Sequence, residues 1–292
     1  KNHCATTEIL DYYEKRAKNN IGLIITEGII IHPSADGYNK VPYLFTDNQM
    51  LSWKKVVNAV HKYKTKIYAQ LWHCGRISHT DYTNGFDLIS STSSPAKGIN
   101  RQNNKPFGTP RALELNEIES IYKMFNHSAE LALKAGFDGV EVHMGHGYLI
   151  DQFIDSNINN RHDKYGGTAE NRIRFAIELL NSLIKKIGND KIMVRISPSR
   201  MMNGLYEWPD KTIILKKLLK EFDLSGLRQL DISCANSNYF ETSGKVIREI
   251  KKLWPHLLIG GASLTVSEAE NEINSGYLDM ITWGRAILAN PN

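Results

Sequence analysis

Apolar residues along this chain follow two alternating periods. Short runs with few polar interruptions occur at 21–28 (IGLIITEG), 66–72 (KIYAQLW), 137–143 (FDGVEVH), 191–197 (KIMVRIS), 227–234 (LRQLDISC), 257–262 (LLIGGA) and 277–283 (YLDMITW). Runs this short and this apolar predict strands buried on both faces of a parallel sheet. The segments between them carry the helical period instead. In AENRIRFAIELLNSLIKKIG, Ile173, Ala176, Ile177, Leu180, Leu183, Ile184 and Ile187 form one stripe, the spacing of an amphipathic helix. Trp53, Val56, Val57 and Val60 repeat that spacing, as do Ile118, Ile121, Tyr122 and Phe125. Weaker helical patterns lie near 7–18, 211–223, 243–254 and 265–275.

Strand–helix alternation implies parallel strands joined by right-handed crossovers. The expected fold is α/β, a (β/α)8 TIM barrel in which seven of the eight strands are recognisable. It would start on a helix, with the first strand and most of the last helix missing. An open doubly wound sheet is the competing arrangement, but no G-x-G-x-x-G follows the first strand. Neither a repeat nor a low-complexity linker interrupts the pattern, so residues 1–292 read as one domain. Two connections are long, His73 to about Leu115 and Gly145 to Thr168. Both follow strands, where barrel enzymes place their chemistry.

Composition narrows the function. The net charge of +5 is mild and the lysines are scattered, so no basic stripe suggests nucleic acid. No run approaches the roughly 18 apolar residues of a membrane helix. Three cysteines far apart, Cys4, Cys74 and Cys234, argue against a disulfide framework and for a reducing compartment, expected to be the cytoplasm. The chain opens on Lys1 rather than Met, which predicts a fragment or a processed product.

Four stretches carry candidate chemistry. His143, His146 and Tyr148 stand where the third strand opens into its loop, with Gly145 and Gly147 between them. Two imidazoles and a phenol there can hold a substrate oxygen and deliver a proton. Backbone capping by the histidines, or a zinc pair completed by His73 and Cys74, are the alternatives. At the tail, Gly260, Gly261, Gly284 and Arg285 end the last two strands, where barrels often bind phosphate. Turn glycines and a surface arginine are the bland reading. Gln70 and Arg195 interrupt apolar strands, so each needs a partner, either a bound heterocycle or, for Arg195, a structural ion pair. In RHDKYGGTAENRIRF, Thr168 is a candidate N-cap.

These stretches, taken together and in order, resemble the Old Yellow Enzyme family, the FMN-dependent ene-reductases and NADH:flavin oxidoreductases. The resemblance rests on GFDGVEVHMGHGYLIDQF with NNRHDKYGGTAENRIRF. It extends to LIITEGIIIHPSADGY, WKKVVNAVHKYKTKIYAQLWHCGR and MITWGRAILANP, covering essentially the whole chain. It implies FMN at the barrel mouth, NADPH or NADH as hydride donor, and an activated alkene such as an enone or nitro compound as substrate. Hydride would pass from flavin N5 to the alkene β-carbon. His143 and His146 resemble the pair that hydrogen-bonds the substrate's electron-withdrawing group, and Tyr148 the tyrosine that protonates its α-carbon. Gln70, Arg195 and Gly28 resemble residues at the flavin ring, and Gly261, Ala262, Gly284 and Arg285 its phosphate cradle. Tyr38 and Trp72 match positions that shape the substrate pocket.

The chain departs from the family pattern in lacking the first strand and the last helix. It also places Gly145 where alanine is common and varies the turn Gly260-Gly261-Ala262-Ser263. The last two changes are expected to be neutral. The competing expectations are a shortened relative that only binds flavin or another ligand, and a phosphosugar aldolase or isomerase using Glu27 or Glu141. A monomer or a homo-oligomer is expected.

Overall fold

The computed structural model describes residues 2–201, 204–235 and 237–291. Its main sheet contains, among those residues, β1 (Leu23–Ile30), β2 (Lys66–Trp72), β3 (Gly139–His143), β4 (Ile192–Ile196), β5 (Gln229–Ile232), β6 (Leu257–Gly260) and β7 (Met280–Ile281). Each strand pairs in parallel with the next in chain order. This is the TIM-barrel order. Among the described residues no further strand pairs with the outer edge of β1 or β7, β1 making only a bridge from Ile30 to Tyr43, and a cleft of about 1350 Å³ opens between the two strands.

Helices α1 (Thr7–Ala17), α2 (Asp47–His61), α3 (Ile118–Ala135), α4 (Leu149–Ile154), α5 (Ala169–Ile187), α6 (Lys211–Leu224), α7 (Ser243–Ile250), α8 (Val266–Asn274) and α9 (Arg285–Ala289) follow the strands or precede the first. The predicted apolar stripes are the buried faces: Trp53, Val56, Val57 and Val60 of α2, and Ile121, Tyr122 and Phe125 of α3, are all buried. Thr46 and Gln49 close a capping box on α2, and the Thr168 hydroxyl accepts from Asn171 N–H to start α5. Gly136 ends α3 at φ 97°, a conformation that favours glycine.

Register explains why polar residues gather inside. Gln70 lies beside Glu141, His143 beside Arg195, and Arg195 beside Asp231. Side chains on a strand alternate between faces, so Glu141 and His143, two apart, share the inner face. Val140 and Val142 take the outer face and are wholly buried.

Several element bounds differ from the sequence expectation, among them β1, which runs to Ile30 rather than Gly28, and α7, which ends at Ile250; two differences go further. The long connection after β3 contains α4, whose six residues are all buried; a helix with no exposed face has no polar alternation to betray it. The last strand covers two residues, 280–281, rather than 277–283.

Candidate active site

The turn after β3 is built by its own glycines. His146 sits at φ 57° and Gly147 at φ 79°, so the chain turns left-handed twice in succession. That conformation is strained for histidine and aims its ring back at His143, 5.2 Å away between centroids.

The hydrogen bonds assign the tautomers. Gly145 N–H donates to His143 Nδ1 at 3.3 Å, which leaves the His143 proton on Nε2. That nitrogen stands 3.3 Å from His146 Nδ1, and His146 Nε2 stands 3.4 Å from Ser233 Oγ. Both rings therefore present an Nε2–H. Burial, then the neighbouring His146 and Arg195, hold His143 well below the usual histidine range. Burial, Arg195 and Arg200 lower His146 to about 3. Both imidazoles are neutral donors at pH 7.

Tyr148 opens α4 with its hydroxyl 2.8 Å from that of Tyr38. Burial, reinforced by Tyr38 and Cys74, pushes Tyr148 well above the usual phenol range, and burial first among its causes pushes Tyr38 up to about 12. Trp72 packs between them, its ring 4.7 Å from Tyr148, 4.9 Å from Tyr38 and 6.3 Å from His143. Tyr38, Trp72, His143, His146 and Tyr148, from three separate stretches of sequence, thus form one cluster. Gly28 serves it indirectly: a Cβ there would lie 2.2 Å from the Trp72 ring, so the glycine makes room for the indole.

Gln70 and Arg195 belong to a second, ionic group. Gln70 Nε2 donates to Glu141 Oε2 at 2.5 Å, and Arg195 reaches Asp231 at 2.6 Å and Glu141 at 3.3 Å. The ion pair considered for Arg195 is present, with two carboxylates rather than one. Burial, opposed by Arg195 and reinforced by Asp231, raises Glu141 up to about 8. Arg195 is raised despite burial, because Asp231 and Glu141 favour its charge. Arg195, Asp231 and Ser233 also line the large cleft, together with Gly261, Ala262, Gly284 and Arg285. Arg285 Nη2 donates to Ser263 Oγ at 2.6 Å.

Sequence reasoning missed Asp231 and Ser233. Asp231 was detectable by the rule that flagged Arg195, a charge on an apolar strand. Ser233 carries no such signal. The zinc alternative finds no geometry: among the described residues no three His, Cys, Asp or Glu side chains are grouped to hold a metal, and His73 Nδ1 is occupied by Gly75 N–H.

Gly145 is not a neutral departure. A Cβ there would lie 2.1 Å from Ser197 Oγ and 2.9 Å from Ser197 N, and that same hydroxyl accepts His146 N–H at 2.6 Å. Gly145→Ala is expected to destabilise the protein by about 1–3 kcal/mol through overpacking. Ser197→Ala in the same chain should recover only part of that loss, since the close approach to Ser197 N remains and His146 N–H loses its acceptor; thermal melts of the single and double variants check it.

The chain belongs to the NADH:flavin oxidoreductase / NADH oxidase family, whose model matches residues 1–292. It is therefore an Old Yellow Enzyme-type oxidoreductase. It is 34% identical over 288 residues to putative 12-oxophytodienoate reductase 11 of Oryza sativa subsp. japonica, covering 96% of this chain and 78% of that protein. With 12-oxophytodienoate reductase 1 of the same organism it shares 33% over 287 residues, covering 96% and 74%. The old yellow enzyme homologue from Zymomonas mobilis superimposes with a TM-score of 0.90 at 31% identity, covering 99% of this chain and 82% of that one. A morphinone reductase variant in complex with tetrahydroNAD gives 0.86 at 32%, covering 97% and 79%.

FMN is expected for this family, and the residues fit it. The buried Asp231 Oδ1 has no protein partner and lines the cleft, as a ring N–H would require. Gly261 has no room for a Cβ, which would lie 2.4 Å from the Thr282 carbonyl oxygen; backbone and Arg285 are left to meet an anion there. Among the described residues no helix is long and apolar enough to cross a membrane.

Proposed function

We propose that this chain is an FMN-dependent ene-reductase that uses NADH or NADPH to reduce the C=C bond of an activated alkene, an enone or a nitroalkene. The observation that supports it most is the cluster itself: two neutral imidazoles and two neutral phenols converge beside an arginine-lined cleft. The morphinone reductase relative in complex with tetrahydroNAD supports a nicotinamide as the hydride source.

When bound, FMN would carry hydride from the nicotinamide to the alkene β-carbon. Arg195, Asp231 and Gln70 would hold its ring, and Gly261, Ala262, Gly284 and Arg285 its phosphate. His146 donates its Nε2–H to the carbonyl or nitro oxygen, and His143 joins it by exchanging His146 Nδ1 for that oxygen; together they stabilise the enolate-like charge that develops there. Because both are neutral, they orient the substrate without surrendering a proton. Tyr148 transfers its proton to the α-carbon, which is far more basic than a phenolate. Tyr38, one hydrogen bond away, steadies the hydroxyl of Tyr148 and the phenolate it becomes. Trp72 excludes water from one side.

Titration of the purified protein with FMN tests the cofactor part of this reading. A yellow 1:1 complex with altered flavin fluorescence is the expected result. A folded protein that leaves FMN free in solution contradicts it.

A further inference from the structure

The turn that carries His146 and Tyr148 is clamped on both sides by the next helix. Gly147 N–H, which belongs to the peptide joining it to His146, donates to Asp151 Oδ2 at 2.6 Å. The Gly147 carbonyl, which belongs to the peptide joining it to Tyr148, accepts from Gln152 Nε2 at 2.7 Å. Asp151 and Gln152 are both wholly buried. Asp151 is itself held from another loop: Trp208 Nε1–H donates to its Oδ1 at 2.7 Å, and Arg200 lies 2.9 Å from its Oδ2. Gln152 in turn spans to the loop after β2, donating to the Cys74 carbonyl at 3.2 Å and accepting Arg76 N–H at 3.2 Å.

We propose that Asp151 and Gln152 are separate positioning residues for the two halves of the chemistry, Asp151 fixing His146 and Gln152 fixing Tyr148. The assignment rests on the ene-reductase reading above and deepens it. Within the turn one backbone bond, Tyr148 N–H to the Gly145 carbonyl at 3.2 Å, restrains the 147–148 peptide, and rotating either peptide swings the attached side chain. Asp151 can accept from Gly147 only if the 146–147 peptide keeps its orientation. Gln152 can donate to Gly147 only if the 147–148 peptide keeps its own. The two loops that hold them from behind, after β2 and after β4, make the turn a shared structure rather than a property of its own six residues. Misplacement of a reacting group by about 1 Å costs on the order of a hundredfold in rate, so loss of one clamp should be visible in one step more than in the other.

The test uses Asp151→Asn and Gln152→Met in the FMN-loaded protein, with cyclohexenone as probe and thermal melts as a folding control. Asp151→Asn retains one acceptor for two donors and loses the charge facing Arg200; it is expected to raise KM for the enone about tenfold, because the His146 donor is displaced. Gln152→Met is expected to lower kcat about tenfold with KM within about twofold, because Tyr148 is displaced. Trp208→Phe, which removes a single donor to Asp151, is the fallback if Asp151→Asn does not fold, and should shift KM in the same direction by less. Folded variants with wild-type KM and kcat overturn the proposal, as does one common loss of rate in both.

A second readout does not depend on turnover. In ¹⁵N spectra of the histidine side chains, His146 (assigned through His146→Gln) should show its Nε2–H tautomer in the wild type and a changed pattern in Asp151→Asn. Wild-type protein without enone reduction would defeat the ene-reductase reading alone, and the clamp would then stand or fall by these spectra. An unchanged His146 signal overturns it.

Discussion

Tyr148→Phe is expected to slow enone reduction by about 10²–10⁴-fold, the usual contribution of a positioned general acid, while flavin reduction by the nicotinamide changes little. The expected split comes from geometry. The Tyr148 ring packs edge-on to Trp72 at 4.7 Å and to His143 at 5.1 Å, so phenylalanine keeps the packing and removes only the hydroxyl. Tyr38, 2.8 Å from the missing oxygen, lies behind it and restores little of the rate. Stopped-flow measurement of the two half-reactions separately checks this. An equal loss in both would mean that Tyr148 shapes the pocket and does not supply the proton.

Arg195→Met carries the second large expectation, a loss of about 3–5 kcal/mol in stability. Arg195 is the cation between Glu141 and Asp231, whose carboxylates are 0% and 1% exposed. Breaking a buried pair by removing one partner leaves uncompensated charge, at a cost of about that size. The pH dependence has a definite sign. Burial raises the carboxyl of Glu141 up to about 8 in the fold, above its unfolded value. Its contribution to stability is therefore full below about pH 4.5 and is lost as pH rises through about 8. Arg195 is the main influence favouring the ionised form, so without it Glu141 stays protonated to higher pH; the variant goes on losing stability above about pH 8, where the wild type levels off, and its deficit should widen there. Glu141→Gln with Asp231→Asn in the same chain should recover much of it, since neutral amides no longer need the cation. Chemical denaturation at pH values below and above about 8 measures both effects; a deficit that narrows above pH 8 would show that Glu141 is not the cause.

The strand–helix order was legible because doubly buried strands and one-sided helices obey different periods: the stripe through Trp53 is a buried face, and that through Ile173 is buried at Ile173, Ala176, Leu180 and Leu183 and half-buried at Ile177, Ile184 and Ile187. The histidine–tyrosine loop was legible because its residues are contiguous. What brings Tyr38, Trp72 and Ser233 to that loop is register across strands and the path of long connections, and neither leaves a periodic trace. The cost of a methyl at Gly145 depends on a serine hydroxyl 52 positions away, so no local rule reveals it. The clamp on Gly147 was hidden for a related reason: LIDQFI looks like more of the same loop until it is seen as a helix without a solvent face. Asp231 is the one omission that closer reading would have repaired.

The most direct test of the central claim is a single anaerobic incubation of the FMN-loaded protein with one equivalent of NADPH or NADH and excess cyclohexenone, followed by product analysis. Donation from His143 and His146 to the carbonyl with protonation at the α-carbon by Tyr148 predicts cyclohexanone, one molecule for each nicotinamide oxidised. Nicotinamide oxidation with the enone recovered unchanged, or reduced at the carbonyl to the allylic alcohol, would contradict it.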